Sequence, residues 1–294
     1  MRKADLHCHS TFSDGTLSPT QLVATARAAG LAALALTDHD TVEGVPEFLA
    51  AGDRHSFHCV PGTELSLDFK GTTHMLGYRA RGSPAPELSL DFIQRFREDR
   101  NRGIQARLEA LGFRITWEDV CAIAGNGLMG KPHFAIAMLE AGIVGSRKEA
   151  FDRFLGKGKP AYVNKRRLTA QEGIRLLLNS DYAPVLAHPG SLGLKDDGEY
   201  DAALSLLHGW GLVGVEAFHP DNGKRFSKTL SAIAARLGLV RTNGSDFHGA
   251  NKKIPLNWVL GHSPLSVSVV EELERGISAA KERLGPDPND PTLL

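Results

Sequence analysis

The chain has 294 residues, 42% hydrophobic and 23% charged, enough for one large α/β barrel or two smaller domains, and this composition excludes global disorder. Its 34 Lys and Arg balance its 34 Asp and Glu, which excludes a broadly basic protein that coats nucleic acid but leaves room for a local anion-binding pocket. Three cysteines, Cys8, Cys59 and Cys121, form neither a CxxC pair nor an even disulfide framework and suit a reducing compartment.

The first residues run into a polar motif rather than an apolar signal region, and no run approaches the ~18 apolar residues of a membrane span. The expected location is cytoplasmic. In chain order, 4–9 is a strand candidate. A helix begins at Ser18-Pro19, with Ser18 as N-cap, Pro19 in the first turn, Gln21 completing a capping box and Gly30 as its stop. The apolar run 31–37 is of buried-strand type, and 57–65 and 72–78 are further strands. After residue 168, short apolar runs at 183–188, 212–217 and 239–243 alternate with helical stretches at 170–179, 201–210 and 224–237. Seven such units predict an α/β fold, a parallel barrel.

Between about 84 and 168 the alternation stops. Helical stretches at 90–111, 134–140 and 147–155 replace the strands, and 15 Lys and Arg stand against 10 Asp and Glu, an excess of five. The remainder of the chain carries the opposite excess. The expected organisation is a discontinuous barrel of 1–83 and 169–284, a positively charged helical insert of 84–168 capping its mouth, and a flexible tail of 285–294.

Histidines and carboxylates gather at or just past the predicted strand ends. His7 and His9 close the first strand, with Asp14 in the loop after it. Asp38-His39-Asp40 follows the second, Glu64 and His74 lie at the third and fourth, His188 at the fifth, and Asp246 and His248 at the last. In a parallel barrel these strand ends converge on one face, and residues 7 and 9 point to the same side of a strand. Six histidines and three carboxylates held together would repel or stay unsatisfied without cations between them. Mixed nitrogen and oxygen donors suit Mn²⁺, Zn²⁺ or Fe²⁺ better than Mg²⁺ or Ca²⁺, and nine donors are too many for one ion. The other histidines, His55, His58, His208 and His262, read as structural or surface residues, and Cys8 as a small core residue turned away from its neighbours.

With these motifs placed, the chain resembles the PHP (polymerase and histidinol phosphatase) family of phosphoesterases, a branch of the amidohydrolase-like barrels. The matching residues are Asp5-Leu6-His7-Cys8-His9-Ser10, Ser13-Asp14-Gly15, Thr37-Asp38-His39-Asp40-Thr41, Gly62-Thr63-Glu64, His74, Ala187-His188-Pro189 and Gly244-Ser245-Asp246-Phe247-His248. The resemblance implies a distorted (β/α)₇ barrel with two or three divalent cations, Mn²⁺ first. It places one between His7, His9, Glu64 and Asp246, a second on Glu64, His74 and His188, and a third on Asp14, His39 and His248. Many relatives have a histidine where this chain has Asp14.

Lys131-Pro132-His133-Phe134-Ala135, the run 158–163 and Glu216-Ala217-Phe218-His219-Pro220 resemble the branch of 3′,5′-nucleoside bisphosphate phosphatases and a 5′→3′ oligoribonuclease. That implies removal of the 3′-phosphate from a small nucleotide such as adenosine 3′,5′-bisphosphate, by a water that the cations activate. Lys131 and His133 are the first candidates for fixed positive groups facing the phosphate, followed by Arg102, Lys165 and Arg166. His219 is the candidate proton donor to the leaving oxygen. Short oligoribonucleotides are the alternative substrate, and no obligate protein partner or membrane contact is expected. The rivals are a histidinol-phosphate-type monoesterase, an amidohydrolase, disfavoured because Glu64 stands where a bridging lysine would be, and a metal-binding module without turnover.

Overall fold

Strand β1 (Ala4–Asp5) starts an eight-stranded sheet that curls toward closure. The computed structural model describes residues 2–80, 82–83, 88–125, 129–164 and 166–285. The run 84–87, Lys165 and all of the expected tail beyond Gly285 lie outside the described residues. The chain divides into two compact units, one of residues 1–89 and 168–294, the other of residues 90–167.

In the larger unit, α1 (Pro19–Ala28) has the predicted start: the Ser18 hydroxyl accepts from the Gln21 N–H, and the Gln21 side chain accepts from the Ser18 N–H. Gly30 follows the helix in the left-handed region, where the missing Cβ removes the strain. Then come β2 (Ala33–Leu36), α2 (Val45–His55), β3 (His58–Asp68) and β4 (Thr73–Arg79). β2 is buried throughout because helices cover it, and Leu34 and Leu36 pack with Leu22, Val23 and Phe48. Each such fully buried side chain stabilises the fold by roughly 1.5–3 kcal/mol.

The smaller unit holds α3 (Asp91–Ala110), α4 (Trp117–Ala124), α5 (Lys131–Glu140) and α6 (Arg147–Ala150), the last continuing as a π-helical turn over Phe151–Leu155. Its own core is built on Ile104, Leu108, Phe134, Met138 and Leu155, all buried. α4 is an addition to the predicted helices. It is only eight residues long, and its Thr116–Asp119 capping box carries its start.

Strand β5 (Leu168–Thr169) returns to the sheet beside β3. After it come α7 (Ala170–Asn179), β6 (Tyr182–Leu186), α8 (Asp197–Gly209), β7 (Gly214–Phe218), α9 (Lys224–Leu237), β8 (Val240–Asn243), α10 (Trp258–His262) and α11 (Val269–Leu284). α8 starts four residues before the predicted stretch because the Asp196 carboxylate caps it by accepting from the Glu199 N–H.

Sheet order is β1-β2-β3-β4-β6-β7-β8. The first and last strands meet: the Leu6 N–H donates to the Asn243 carbonyl at 3.2 Å, and the Asn243 side-chain amide donates to the Ala4 carbonyl at 2.7 Å. The barrel-like α/β architecture expected from the sequence is therefore present, with one strand reversed. β4 is antiparallel to both β3 and β6, because the short turn from Asp68 to Thr73 makes a hairpin instead of a crossover. Among the described residues no helix is long and apolar enough to cross a membrane.

Candidate metal centre

The rim where β1, β2, β6, β7 and β8 end carries most of the predicted ligands, and reversing β4 brings its second residue, His74, to the same rim. β3 runs past the end of β2, so Glu64 lies inside the strand instead of at its end. Its fully buried carboxylate is the hub. Oε2 lies 3.3 Å from Nε2 of both His7 and His9 and 3.0 Å from Nδ1 of His39. Oε1 lies 3.1 Å from His74 Nδ1 and 3.0 Å from His188 Nε2.

Asp246 forms a second focus. Its Oδ1 sits 3.4 Å from His7 Nε2, 3.2 Å from His9 Nε2 and 3.5 Å from His248 Nδ1. Asp14, on the loop after β1, faces His248 Nε2 at 3.2 Å and approaches His9 and His39 at 3.8 Å. Three overlapping sets result, each with its donor atoms within 4.8 Å: His7, His9, Glu64 and Asp246; His39, Glu64 and His74; and His9, Asp14, His39 and His248. His188 joins the second through its 3.3 Å approach to His74. All nine predicted ligands thus converge.

These groups suit cations. The buried atoms His7 Nε2, His9 Nδ1 and Nε2, His39 Nδ1 and Glu64 Oε2 have no hydrogen bond within the protein, a costly arrangement unless a ligand satisfies them. Three rings are also held in the tautomer a ligand needs. His7 Nδ1 donates to Glu216 Oε1 at 3.0 Å. His188 Nδ1 donates at 2.9 Å to the Ser191 hydroxyl, which itself donates to the Thr72 carbonyl. His248 Nδ1 donates to the Asp246 carbonyl at 2.8 Å. Each bond holds a proton on Nδ1 and so leaves Nε2, which faces the site, as the ligating atom.

The charges respond to this crowding. Burial opposes a proton on His9, but the carboxylates of Asp246 and Glu64 outweigh it and raise its pKa to about 9. At His7 the carboxylates, Glu216 foremost, likewise overcome burial and push the pKa well up. His39 goes the other way: burial dominates and holds it down to about 4. Burial acts against ionisation of Asp14 and Asp246 too, but neighbouring histidines keep both far below the ordinary carboxylate range.

The surrounding loops are fixed by carboxylates that stay out of the ligand sets. Asp38 accepts from the Ser10 N–H at 2.7 Å and from the Ser10 and Ser13 hydroxyls at 2.6 Å each. Asp40 accepts from the Ser66 N–H at 2.8 Å. Cys8 turns away from the site, as expected, and its thiol donates to the Ala35 carbonyl.

His219 is buried beside the cluster. Its Nδ1 accepts from the Asp221 N–H at 3.1 Å, so its proton sits on Nε2, 3.7 Å from Asp246 Oδ2. The remaining predicted substrate residues belong to the smaller unit. There the Lys131 ammonium lies 4.0 Å from the Tyr162 ring centre, and burial, followed by Arg100 and Arg167, lowers its pKa. His133 caps its own helix by accepting from the Gly130 N–H at 2.9 Å. Arg102 is engaged by Glu98 at 2.7 Å and by the Trp117 ring, and Arg166 lies over Phe96.

Three residues of the site were assigned no role from the sequence. Glu216 was an acid inside an apolar strand, a signal of a paired buried carboxylate. Asn251 and Lys252 line the cleft of about 400 Å³ that also contains Asp14, His39, Glu64 and His248. Followed by Lys253, Lys252 reads in sequence as a solvated charge.

A family model described as the PHP domain matches residues 5–110. The chain is 32% identical over 261 residues to a 5′-3′ exoribonuclease of Haemophilus influenzae, covering 88% of this chain and 92% of that protein. It is 30% identical over 258 residues to a 3′,5′-nucleoside bisphosphate phosphatase of Chromobacterium violaceum, covering 84% and 88%. A solved structure from Bifidobacterium adolescentis, assigned as a metal-dependent phosphoesterase, superposes with a TM-score of 0.72 at 30% identity over 98% of both chains. The likeness runs through both halves of the barrel and the segment between them, and on that ground the chain belongs to the PHP family of phosphoesterases, hydrolases of phosphate esters.

Proposed function

We propose that the chain removes the 3′-phosphate of nucleoside 3′,5′-bisphosphates, such as adenosine 3′,5′-bisphosphate, giving the 5′-monophosphate and inorganic phosphate. The observation that carries this reading is the Glu64 hub, where one carboxylate meets five histidines beside a cleft open to a small ester. The Chromobacterium violaceum relative supports the choice of substrate.

Two or three divalent cations, Mn²⁺ first, would be held by the nine ligands. When bound they supply Lewis acidity, lowering the pKa of water and neutralising phosphoryl charge. The protein's own groups supply the rest. Glu216, Ser191 and the Asp246 carbonyl keep three imidazoles in the ligating tautomer. His219 carries its proton on Nε2 and offers it as a hydrogen bond to the departing 3′-oxygen; as water oxygen bonds to phosphorus and the phosphorus–oxygen bond breaks, the proton that the water loses ends on that 3′-oxygen. Lys131, with His133, Arg102, Lys165 and Arg166 as further candidates, is proposed to take the second phosphate, whose binding energy would favour a bisphosphate over a plain monoester.

A second reading, 5′→3′ cleavage of short oligoribonucleotides, is favoured by the Haemophilus influenzae relative. Phosphate and nucleotide release by the Mn²⁺-loaded protein separates the two. The substrates are adenosine 3′,5′-bisphosphate, 3′-AMP, 5′-AMP, histidinol phosphate and a 5′-phosphorylated RNA dinucleotide. Preference for the bisphosphate supports the first reading, and preference for the dinucleotide replaces it with the second. Turnover of histidinol phosphate alone, or of none, overturns both.

A further inference from the structure

We propose that Lys252 is the phosphate-binding cation of the barrel itself. The inference rests on the phosphoesterase reading above but not on which ester is hydrolysed. Among the described residues lining the cleft of the metal centre, Lys252 is the only lysine or arginine. Its side chain is 33% exposed, one side toward the ligands and the other toward solvent.

The two oxygens of Asp246 divide their work. Oδ1 faces His7, His9 and His248, the ligand side. Oδ2 holds the Lys252 ammonium. Lys252 therefore sits outside the ligand sets and at their edge. An ammonium has three donors, and Asp246 uses one, so two remain for non-bridging oxygens of a phosphoryl group in the cleft.

The backbone around Lys252 is tied to a ligand loop. The Ala250 N–H donates to the Thr16 hydroxyl at 2.9 Å, and the Asn251 side-chain amide donates to the Asp14 carbonyl at 2.8 Å. Gly249 permits this clasp: its φ is +65°, and a Cβ there would lie 2.0 Å from the Thr16 hydroxyl oxygen. Lys252 is thus positioned with Asp14, as a group that meets substrate must be.

The test compares the Mn²⁺-loaded full chain with Lys252→Met, which keeps the apolar stem, and Lys252→Arg, which keeps the charge. Metal content is read by mass spectrometry, melting temperature by calorimetry, and affinity for inorganic orthophosphate by titration. The expected result for Lys252→Met is unchanged metal content and a ~10–100-fold weaker orthophosphate affinity, the size of one charged hydrogen bond, with Lys252→Arg recovering most of it. Unchanged orthophosphate affinity in Lys252→Met overturns the proposal. Loss of metal or of folding in Lys252→Met, with no phosphate defect separable in Lys252→Arg, also overturns it and leaves Lys252 as a counter-ion of Asp246. Because orthophosphate is the probe, a wrong choice of nucleotide substrate does not affect the outcome.

Discussion

Glu216 Oε1 lies 3.0 Å from His7 Nδ1, and neither side chain reaches solvent. The other oxygen of the same carboxylate accepts from the His188 N–H at 2.7 Å. One buried acid thus fixes two candidate ligands that follow different strands, β1 and β6, and one of them, His188, has a φ of +24°, unusual for a residue with a Cβ. Glu216→Gln keeps the shape but weakens both bonds, and the expected result is a ~10–100-fold loss of metal affinity with the fold retained. A chelator competition assay with circular dichroism checks it. Wild-type metal affinity in Glu216→Gln would remove Glu216 from this role.

Metal loading is expected to release protons. Neighbouring carboxylates raise the pKa values of His7 and His9, His9 to about 9, which favours their protonated forms in the metal-free protein, and ligation displaces those protons. His39, held down to about 4, is already neutral and has none to give. Titration with Mn²⁺ at pH 7 in buffers of different ionisation enthalpy should therefore report net proton release, with apparent affinity rising from pH 6 toward 9. Proton-neutral binding would contradict these directions.

Gly244 leaves no room for a side chain. A Cβ there would lie 2.1 Å from the Cβ of His7 and 2.5 Å from Glu216 Oε1. Gly244→Ala must shift the ligand or its positioning acid. We expect roughly 1–3 kcal/mol of lost stability in urea unfolding. Metal content should fall in proportion more than stability does, and a fully loaded, equally stable variant would contradict the crowding.

Thiol reactivity should separate the three cysteines. Cys121 is exposed, Cys8 is buried and bonded to a carbonyl, and burial pushes the Cys59 thiol up to about 12. A higher pKa means less thiolate at a given pH, and thiolate is the reactive form. Titration with a disulfide reagent at pH 8 should therefore count one fast thiol per folded chain and three after denaturation. Cys121→Ser should abolish the fast phase.

The ligands were legible because period and placement both speak for them. His7 and His9 alternate in the run 4–9, of which only Ala4–Asp5 is strand and Cys8 makes a lone bridge to Phe247, and the other seven fall near strand ends or in the loops after them. The direction of β4 was not legible, since a short apolar run between turns looks the same whichever way it enters the sheet. His74 is named through its place at the fourth strand and in the family resemblance, and the reversal explains how a residue near the start of that strand reaches the rim where parallel neighbours end. Glu216 and Lys252 were missed for opposite reasons: one looked like part of a strand, the other like surface charge. Their significance lies in contacts across 209 and 6 residues, which no local pattern records.

The pairing of the first strand with the last bears on how the protein is made. Asp246, His248 and the Asn243 amide that ties Ala4 are made about 240 residues after His7 and His9. At ~5–20 residues per second the nascent chain carries half a binding site for on the order of 10–50 s. During that interval the early histidines and Glu64 lack Asp246. A complete set of donors exists only once Asp246 and His248 have been added, so full cation binding is expected to follow synthesis of the last strand of the barrel rather than of the first.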